Sequence, residues 1–301
     1  MDDEALITTL ALAEHRTPSM NGASADRFAN LLELLGPPGP KNLEALEDID
    51  RQWMEEALSA ISASDRLRWA QTVEALRADG VSIVTSADDA YPANLRMIHN
   101  RPAVLFVRGE VIPSDSRAIA VVGTRDASDE GVRAATSVAR QLAGRGITIL
   151  SGLAAGIDTA AHAAALNAGG RTIAVFGTGI HRVYPQQNRG LASSIAASGA
   201  CVSQFMPNQS GTKWSFPVRN IVTSGLSLGT VVVEAGPTSG AKLQAHDALR
   251  HGKRLFLLRR LVEHQEWARE LANLPEVAAV DDVDEIVAAV EVELDRELAL
   301  L

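Results

Sequence analysis

Lys213, Phe216 and Arg219 lie three residues apart in the stretch TKWSFPVRN, with Trp214 and Pro217 between them. Two cations and an aromatic ring in one loop suit a strand of nucleic acid, whose phosphates meet the cations while a base stacks on the ring. The same composition also fits an aromatic that anchors a loop to a core. Three further stretches could hold an anion. In AVVGTRDASDEG, Gly123 allows a sharp turn, and Thr124 and Arg125 stand where the free amides of a helix start would face a phosphate. Arg125 would add a planar, bidentate donor there, or it is a plain surface arginine.

In SGLAAGIDTAAHAAAL, Ser151-Gly152 closes a strand, Gly156 permits close approach of the backbone, and Asp158 is expected to cap a helix. Asp158 and His162 are four apart and share a helical face. No second carboxylate or histidine cluster accompanies them, so capping plus a local hydrogen bond is the expected role, without a metal. In VVVEAGPTSGAKLQAHDAL, Glu234 closes a buried strand, Gly236-Pro237 turns, and Ser239-Gly240 opens a helix. Its free amides could hold a phosphate, and Ser239 could equally be its cap. A last glycine pair, Gly177 and Gly179 in FGTGIHRVYPQQN, begins like a dinucleotide fingerprint, but Arg182 stands where the third glycine belongs.

The elements that must position these residues follow from pattern. From residue 81, the short apolar runs VSIVT, VLFV, AIAVVG, ITILSG, TIAVFG, ACVSQF, TVVVEA and RLFLL alternate with helical stretches. That rhythm predicts βαβ units and a parallel sheet covered on both faces, an α/β Rossmann-like domain. Ligands of such sheets bind beyond the carboxyl ends of the strands. Residues 1–78 read as a small helical domain, with Phe28, Leu31, Leu32 and Leu35 at helical spacing, GPPGP at 36–40 as a stop, and Ser64 as the expected cap of a later helix. Residues 79–262 form the Rossmann-like domain, and 263–301 an acidic, helical tail that docks on the core or offers itself to a partner.

Charge is divided in the same way. Residues 1–90 hold 7 Lys/Arg against 17 Asp/Glu, residues 91–262 hold 19 against 8, and residues 263–301 hold 2 against 12. A centre of +11 between two ends of −10 suits a middle domain that meets phosphates, or arginines that decorate helices. No apolar run is long enough to span a membrane, and the acidic start is unlike a secretory signal. The single cysteine, Cys201, sits in an apolar run and reads as a buried thiol in a reducing cytoplasm.

Taken in order, ADDAYPANLRMI, PAVLFVRGE, VVGTR, SGLAAGIDTAAHAAAL, GGRTIAVFGTGIHRVYPQQN, FPVRN, VVVEAGPTSGAKLQA and GKRLF resemble the DprA/Smf family of DNA-processing proteins. The likeness covers roughly residues 81–258. It implies an extended Rossmann domain that binds single-stranded DNA as a homodimer, protects incoming DNA and loads the recombinase RecA, with no cofactor and no catalysed reaction. It carries phosphate binding onto Gly123, Thr124, Arg125, Ser151, Gly152, Gly177, Asn220, Ser239 and Gly240, and strand contact onto Lys213, Phe216 and Arg219. It also makes the turn at Gly177 part of the fold rather than of a dinucleotide site.

The chain departs from the family pattern at Thr124, usually serine, and at Ala155 and Ile221, usually arginines. The usual segment after the last strand is replaced by LRRLVEHQEW, and no winged-helix domain is expected within the 39 residues after 262. A second reading, a nucleotide-binding protein or phosphoribohydrolase of the same superfamily, lacks its usual P-G-G-x-G-T-x-x-E, since AGPTSGAKLQA stands there.

Overall fold

The structure is a computed structural model that describes residues 1–15, 23–38 and 40–298. Arg16, Gly39 of the GPPGP stop and the last three residues of the tail lie outside the described residues. The chain divides into two compact units: Met1–Tyr91 with His99–Val107, and Pro92–Ile98 with Arg108–Leu301. These bounds differ from those drawn at 78 and 262. The first unit takes in a pair of strands beyond the helices, and the acidic tail belongs to the second unit.

The first unit carries α1 (Asp3–His15), α2 (Ala23–Leu35), α3 (Pro40–Glu44), α4 (Asp48–Ser59) and α5 (Ala63–Ala78), followed by the neighbouring strands β1 (Val81–Thr85) and β2 (Val104–Gly109). Phe28 and Leu32, one helical turn apart, are buried, as are Leu10, Leu12, Trp69 and Leu76 of the same unit. Gly36, at φ +76°, ends α2 and donates its amide to Leu32 O at 2.9 Å. The cap of α5 is Ser62 rather than Ser64. Ser62 accepts from Asp65 N at 3.1 Å, and Asp65 accepts from Ser62 N at 3.0 Å. The three-residue spacing from Ser62 to Asp65 closes a reciprocal capping box, which Ser64 has no partner to form.

The second unit opens with α6 (Ala93–Arg96) and is built on seven strands. They are β3 (Ala118–Val122), β4 (Thr148–Ser151), β5 (Thr172–Val175), β6 (Ala200–Ser203), β7 (Gly229–Val232), β8 (Arg254–Leu258) and β9 (Val277–Val280). They pair in the order β6-β5-β4-β3-β7-β8-β9, and every pairing is parallel. Strands β3 to β7 are buried along their whole length, as their uninterrupted apolar or small-polar composition requires. From β3 the chain steps outward to β4, β5 and β6, then returns to the other side of β3 as β7. The loops after β3 and β7 therefore leave in opposite directions and open a crevice at the carboxyl edge.

The crossovers are α7 (Asp129–Gly144), α8 (Ile157–Asn167), α9 (Arg189–Ser198), α10 (Ser215–Leu226) and α11 (Gly240–Arg250); α12 (Arg259–His264), α13 (Glu266–Leu271) and α14 (Val283–Leu298) follow β8 and β9. The α/β Rossmann-like architecture is thus as expected, and the eight expected strands form within a few residues of their runs. The tail adds an unexpected ninth strand, because its first apolar run, VAAV, pairs with Leu255–Leu258. Its helix α14 buries Val283, Ile286 and Val290 in the same cluster as α7, and Arg117 bonds Glu291 at 2.7 Å. No helix of the described residues is long and apolar enough to cross a membrane.

Helices α7 and α8 approach through small side chains: Ala135 and Ala139 on one, Ala161, Ala164 and Ala165 on the other, all in one buried cluster. Interiors are close-packed, so the alanines set the distance at which α8 is held over the sheet. Ala161→Leu is expected to destabilise the protein by about 1–3 kcal/mol through overpacking, measured by urea unfolding. A variant as stable as the parent would mean the interface has slack.

Candidate functional site

Beyond the carboxyl ends of β3 and β7 lies a cavity of about 500 Å³. Gly123, Thr124 and Arg125 enter it from the end of β3. Their loop is tied to β7 by Glu234, whose backbone oxygen accepts from Thr124 N at 2.7 Å and whose carboxylate accepts from the Ser128 hydroxyl at 2.8 Å. Ser128 in turn caps α7, accepting from Gly131 N at 3.0 Å. From the far side, Ser239 and Gly240 bring the start of α11 to the cavity. Ser239 is used as that helix's cap, accepting from Ala241 N at 3.2 Å.

The segment read as a loop, TKWSFPVRN, is a helix from Ser215 onward. Pro217 falls within the first turn of α10, where its missing N–H costs no hydrogen bond, and the apolar run behind it carries the helix onward. The three-residue spacing is therefore helical, and Phe216, Arg219, Asn220 and Thr223 line the cavity along one face. Ser215 fixes the start of α10 to the turn after β5, its hydroxyl donating to Gly177 O at 2.6 Å.

Arg219 is corrected from a solvent-facing cation to a buried one, 9% exposed. Its Nη1 donates to Val175 O at 2.8 Å and its Nε to Asn220 Oδ1 at 3.2 Å. Burial draws its pKa below the usual guanidinium value; the Asp158 carboxylate opposes that pull and the Arg125 charge adds to it. Gly152 is glycine for this reason: a Cβ there would overlap the guanidinium. Gly177 serves Phe216 in the same way, since a Cβ would meet the ring. Ser151 does not line the cavity. It is buried in β4, with its hydroxyl donating to Val121 O at 2.7 Å.

Phe216 is neither an open platform nor a core anchor. It is half-buried, with the Arg125 guanidinium 5.2 Å from its ring centroid and Tyr184 tilted against it at 5.4 Å. A base could take that face only by displacing Arg125. Lys213 lines the cavity and is exposed. Among the described residues neither Arg125 nor Lys213 is paired with a carboxylate, whereas Arg68, Arg117 and Arg259 each have one.

Asp158 is not the cap of α8. Gly156, at φ +75°, precedes that helix, and Asp158 turns back to accept from Gly152 N at 3.1 Å and Ala154 N at 3.3 Å. Burial pushes its pKa up, against the pull of Arg219 and these bonds. His162 bonds elsewhere: its Nδ1 lies 2.7 Å from Thr172 Oγ1, whose hydroxyl donates to Ile149 O at 2.7 Å, so Nδ1 is the donor. Burial first, then the Arg219 charge, push His162 down to about 3. Among the described residues no group of three or more acidic, histidine or cysteine side chains could hold a metal. Cys201 is buried, and burial pushes its thiol up to about 12.

The sequence reading passed over Thr223 and Gln244 of the lining, and it passed over the exposure of Trp214 and Tyr184. Thr223 follows Arg219 by one helical turn, a signal that needed α10 to be read as a helix. Of the departures, Ala155 borders a smaller adjoining cavity with Arg125, Tyr184 and Phe216, while Ile221 is half-buried on α10.

The family model described as DNA recombination-mediator protein A matches residues 82–291. The DNA processing protein DprA of Bacillus subtilis is 36% identical over 187 residues, covering 62% of this chain and 63% of that protein. The protein Smf of Synechocystis is 35% identical over 244 residues, covering 80% and 61%. The chain thus matches about three fifths of the length of these relatives. Among solved structures, DNA processing protein A from Streptococcus pneumoniae has a TM-score of 0.63 at 25% identity, covering 95% of this chain and 93% of that one. The Helicobacter pylori protein, in a structure concerned with its single-stranded DNA binding mode, shares the fold with a TM-score of 0.62 at 24% identity, covering 72% and 96%.

The depressed His162 makes a pH prediction. The unfolded imidazole takes up a proton near pH 6.5, the folded one only near 3. The stability contributed by its neutral burial is complete above pH 6.5 and falls by about 1.4 kcal/mol per pH unit as pH drops from there toward 3. Urea unfolding at pH 7, 6, 5 and 4 should show His162→Asn with a shallower decline than the parent. Parallel declines would contradict it.

Proposed function

Since the chain belongs to the DNA recombination-mediator protein A family, we propose that its cavity holds the phosphates of single-stranded DNA. The proposal extends to a homodimer that covers incoming strands in the cytoplasm and passes them to a RecA-type recombinase, with no cofactor and no chemical step. The observation that carries the DNA reading is the convergence of Arg125, Lys213 and the start of α11 above the buried Arg219. Two cations without carboxylate partners, beside the positive end of α11, favour an anion there.

The chemistry around them supports the same reading. No Asp or Glu occurs between residues 158 and 234, the span that supplies Lys213, Phe216, Arg219 and Asn220. The cavity lining carries two carboxylates, the exposed Asp126 and the buried Asp158, so a polyanion meets one acidic side chain at the mouth and none from the 159–233 span. Arg125 meets phosphate as a planar fork and Lys213 as a mobile point charge, while Arg219 supplies positive potential from below. Phe216 acts by holding Arg125 across its ring.

Log affinity for a dT oligonucleotide should fall linearly with log salt, by about 0.7 for each phosphate neutralised. Combining Arg125→Ala with Lys213→Ala should lower affinity at least tenfold or so and flatten the slope by about 1.4, two phosphates' worth. A flat response in the parent protein, or an unchanged slope in the double variant, would sink the phosphate reading.

A further inference from the structure

The cavity accounts for phosphates but leaves open what a base would meet, because the face of Phe216 nearest the cations is taken by Arg125. The most exposed aromatic ring nearby is that of Trp214, which Lys213 shades on one face only. Its side chain is 71% exposed, whereas Trp69 and Trp267 are 1% and 6% exposed. Looseness does not explain this exposure. Trp214 N donates to Thr212 Oγ1 at 3.3 Å, and Trp214 O accepts from Val218 N at 3.3 Å, so the backbone is fixed at the threshold of α10. Nor does capping. The Thr212 hydroxyl performs that task, accepting also from Ser215 N at 3.1 Å, and the indole makes no cap bond. An indole on a fixed backbone that stays in water keeps a large apolar face exposed that burial would have removed.

We propose that Trp214 is the residue on which a base of the bound strand stacks, and that it gives the site its preference for single strands. This rests on the single-strand reading above. The neighbour of Trp214 is the link between ring and phosphate: Lys213 lines the cavity and has its Nζ 5.2 Å from the indole centroid. A strand whose phosphate is held by Lys213 thus has a base within reach of the ring, and drawing the ammonium toward phosphate uncovers the face it now shades. Val218, one helical turn on and 43% exposed, continues the apolar strip beside the ring. A base in a duplex is already stacked on both faces and cannot occupy the indole without being unstacked at a cost of a few kcal/mol. Phosphate contacts do not distinguish the two forms in this way; an exposed ring does.

The test compares a dT oligonucleotide, a strand of equal length carrying abasic sites, and a duplex, at one salt concentration. Trp214→Ala should weaken dT binding roughly 5- to 150-fold, the range for one lost stacking contact, while leaving abasic and duplex binding unchanged. Trp214→Phe should retain most of the dT affinity. The parent's tryptophan emission should be quenched by dT and that quenching lost in Trp214→Phe. Unchanged thermal unfolding of both variants would show that they are folded.

Retention of the parent's dT-to-abasic ratio in Trp214→Ala would overturn the inference. So would loss of that ratio in Tyr184→Ala alone, which would place the stacking face on the other side of Phe216. A fall in solution mass in Trp214→Ala, with the ratio unchanged, would assign the indole to a second copy of the chain. Failure of the parent protein to bind single strands at all would remove the single-strand reading and this inference together, a result separable from the others because it needs no variant.

Discussion

A buried guanidinium organises the site. Arg219 is held between the Val175 carbonyl, the Asn220 amide and the field of Asp158, beneath a cavity open to water. A charge placed there is tolerable only if its hydrogen bonds and counter-charge are in place, and breaking such an arrangement typically costs several kcal/mol. Much of the surrounding sequence follows from that need. Gly152 must lack a side chain, Asp158 must turn inward to shape the 152–156 loop, and α10 must begin with a hydroxyl that locks onto Gly177 O. His162 is kept neutral first by its own burial and then by the Arg219 charge.

The same cation divides the labour among the others. Arg219 cannot reach a ligand freely, yet its charge lies at the cavity floor, where burial leaves it less screened by salt than a surface charge would be. Arg125 and Lys213 are exposed at the cavity, where an anionic ligand would meet them directly. Each rests on an aromatic ring, Phe216 and Trp214 respectively, in place of a carboxylate. A carboxylate partner would have to be given up when phosphate arrives. A ring gives up a cation at about 0.5–1 kcal/mol at an exposed site, so the site is held in order without being neutralised.

How far the sequence could be read follows from which forces are local. The parallel sheet was legible because each strand is an apolar run closed by glycine or a small polar residue, and no distant partner is needed to see that. Helix α10 was not, because Pro217 and Gly225 argue against a helix locally, while its stability comes from packing on α11 and the tie to Gly177. Asp158 was misread for a related reason: a carboxylate two residues after a glycine looks like a cap, and only the returning loop reveals that it caps Gly152 and Ala154 instead. Gly123, Thr124, Arg125, Gly152, Lys213, Phe216, Arg219, Asn220, Ser239 and Gly240 do line one cavity. The sequence could place them at strand ends but could not rank them by exposure, and exposure decides which can touch a ligand.

That ranking bears on the two positions where family arginines are missing. Ala155 borders the small cavity beyond Phe216, and Ile221 lies half-buried on α10, so neither loss removes a cation from the main cavity floor. What the losses remove is charge at its margins, where a longer stretch of backbone would be followed. On the single-strand reading proposed above, binding would lean on fewer phosphates and, in proportion, more on whatever the bases meet. Stacking is little affected by salt, whereas phosphate contacts are weakened by it. On that same reading, alanine and isoleucine at 155 and 221, with an exposed indole beside Lys213, would place relatively more of the affinity on base stacking, the part that distinguishes single strands from duplexes.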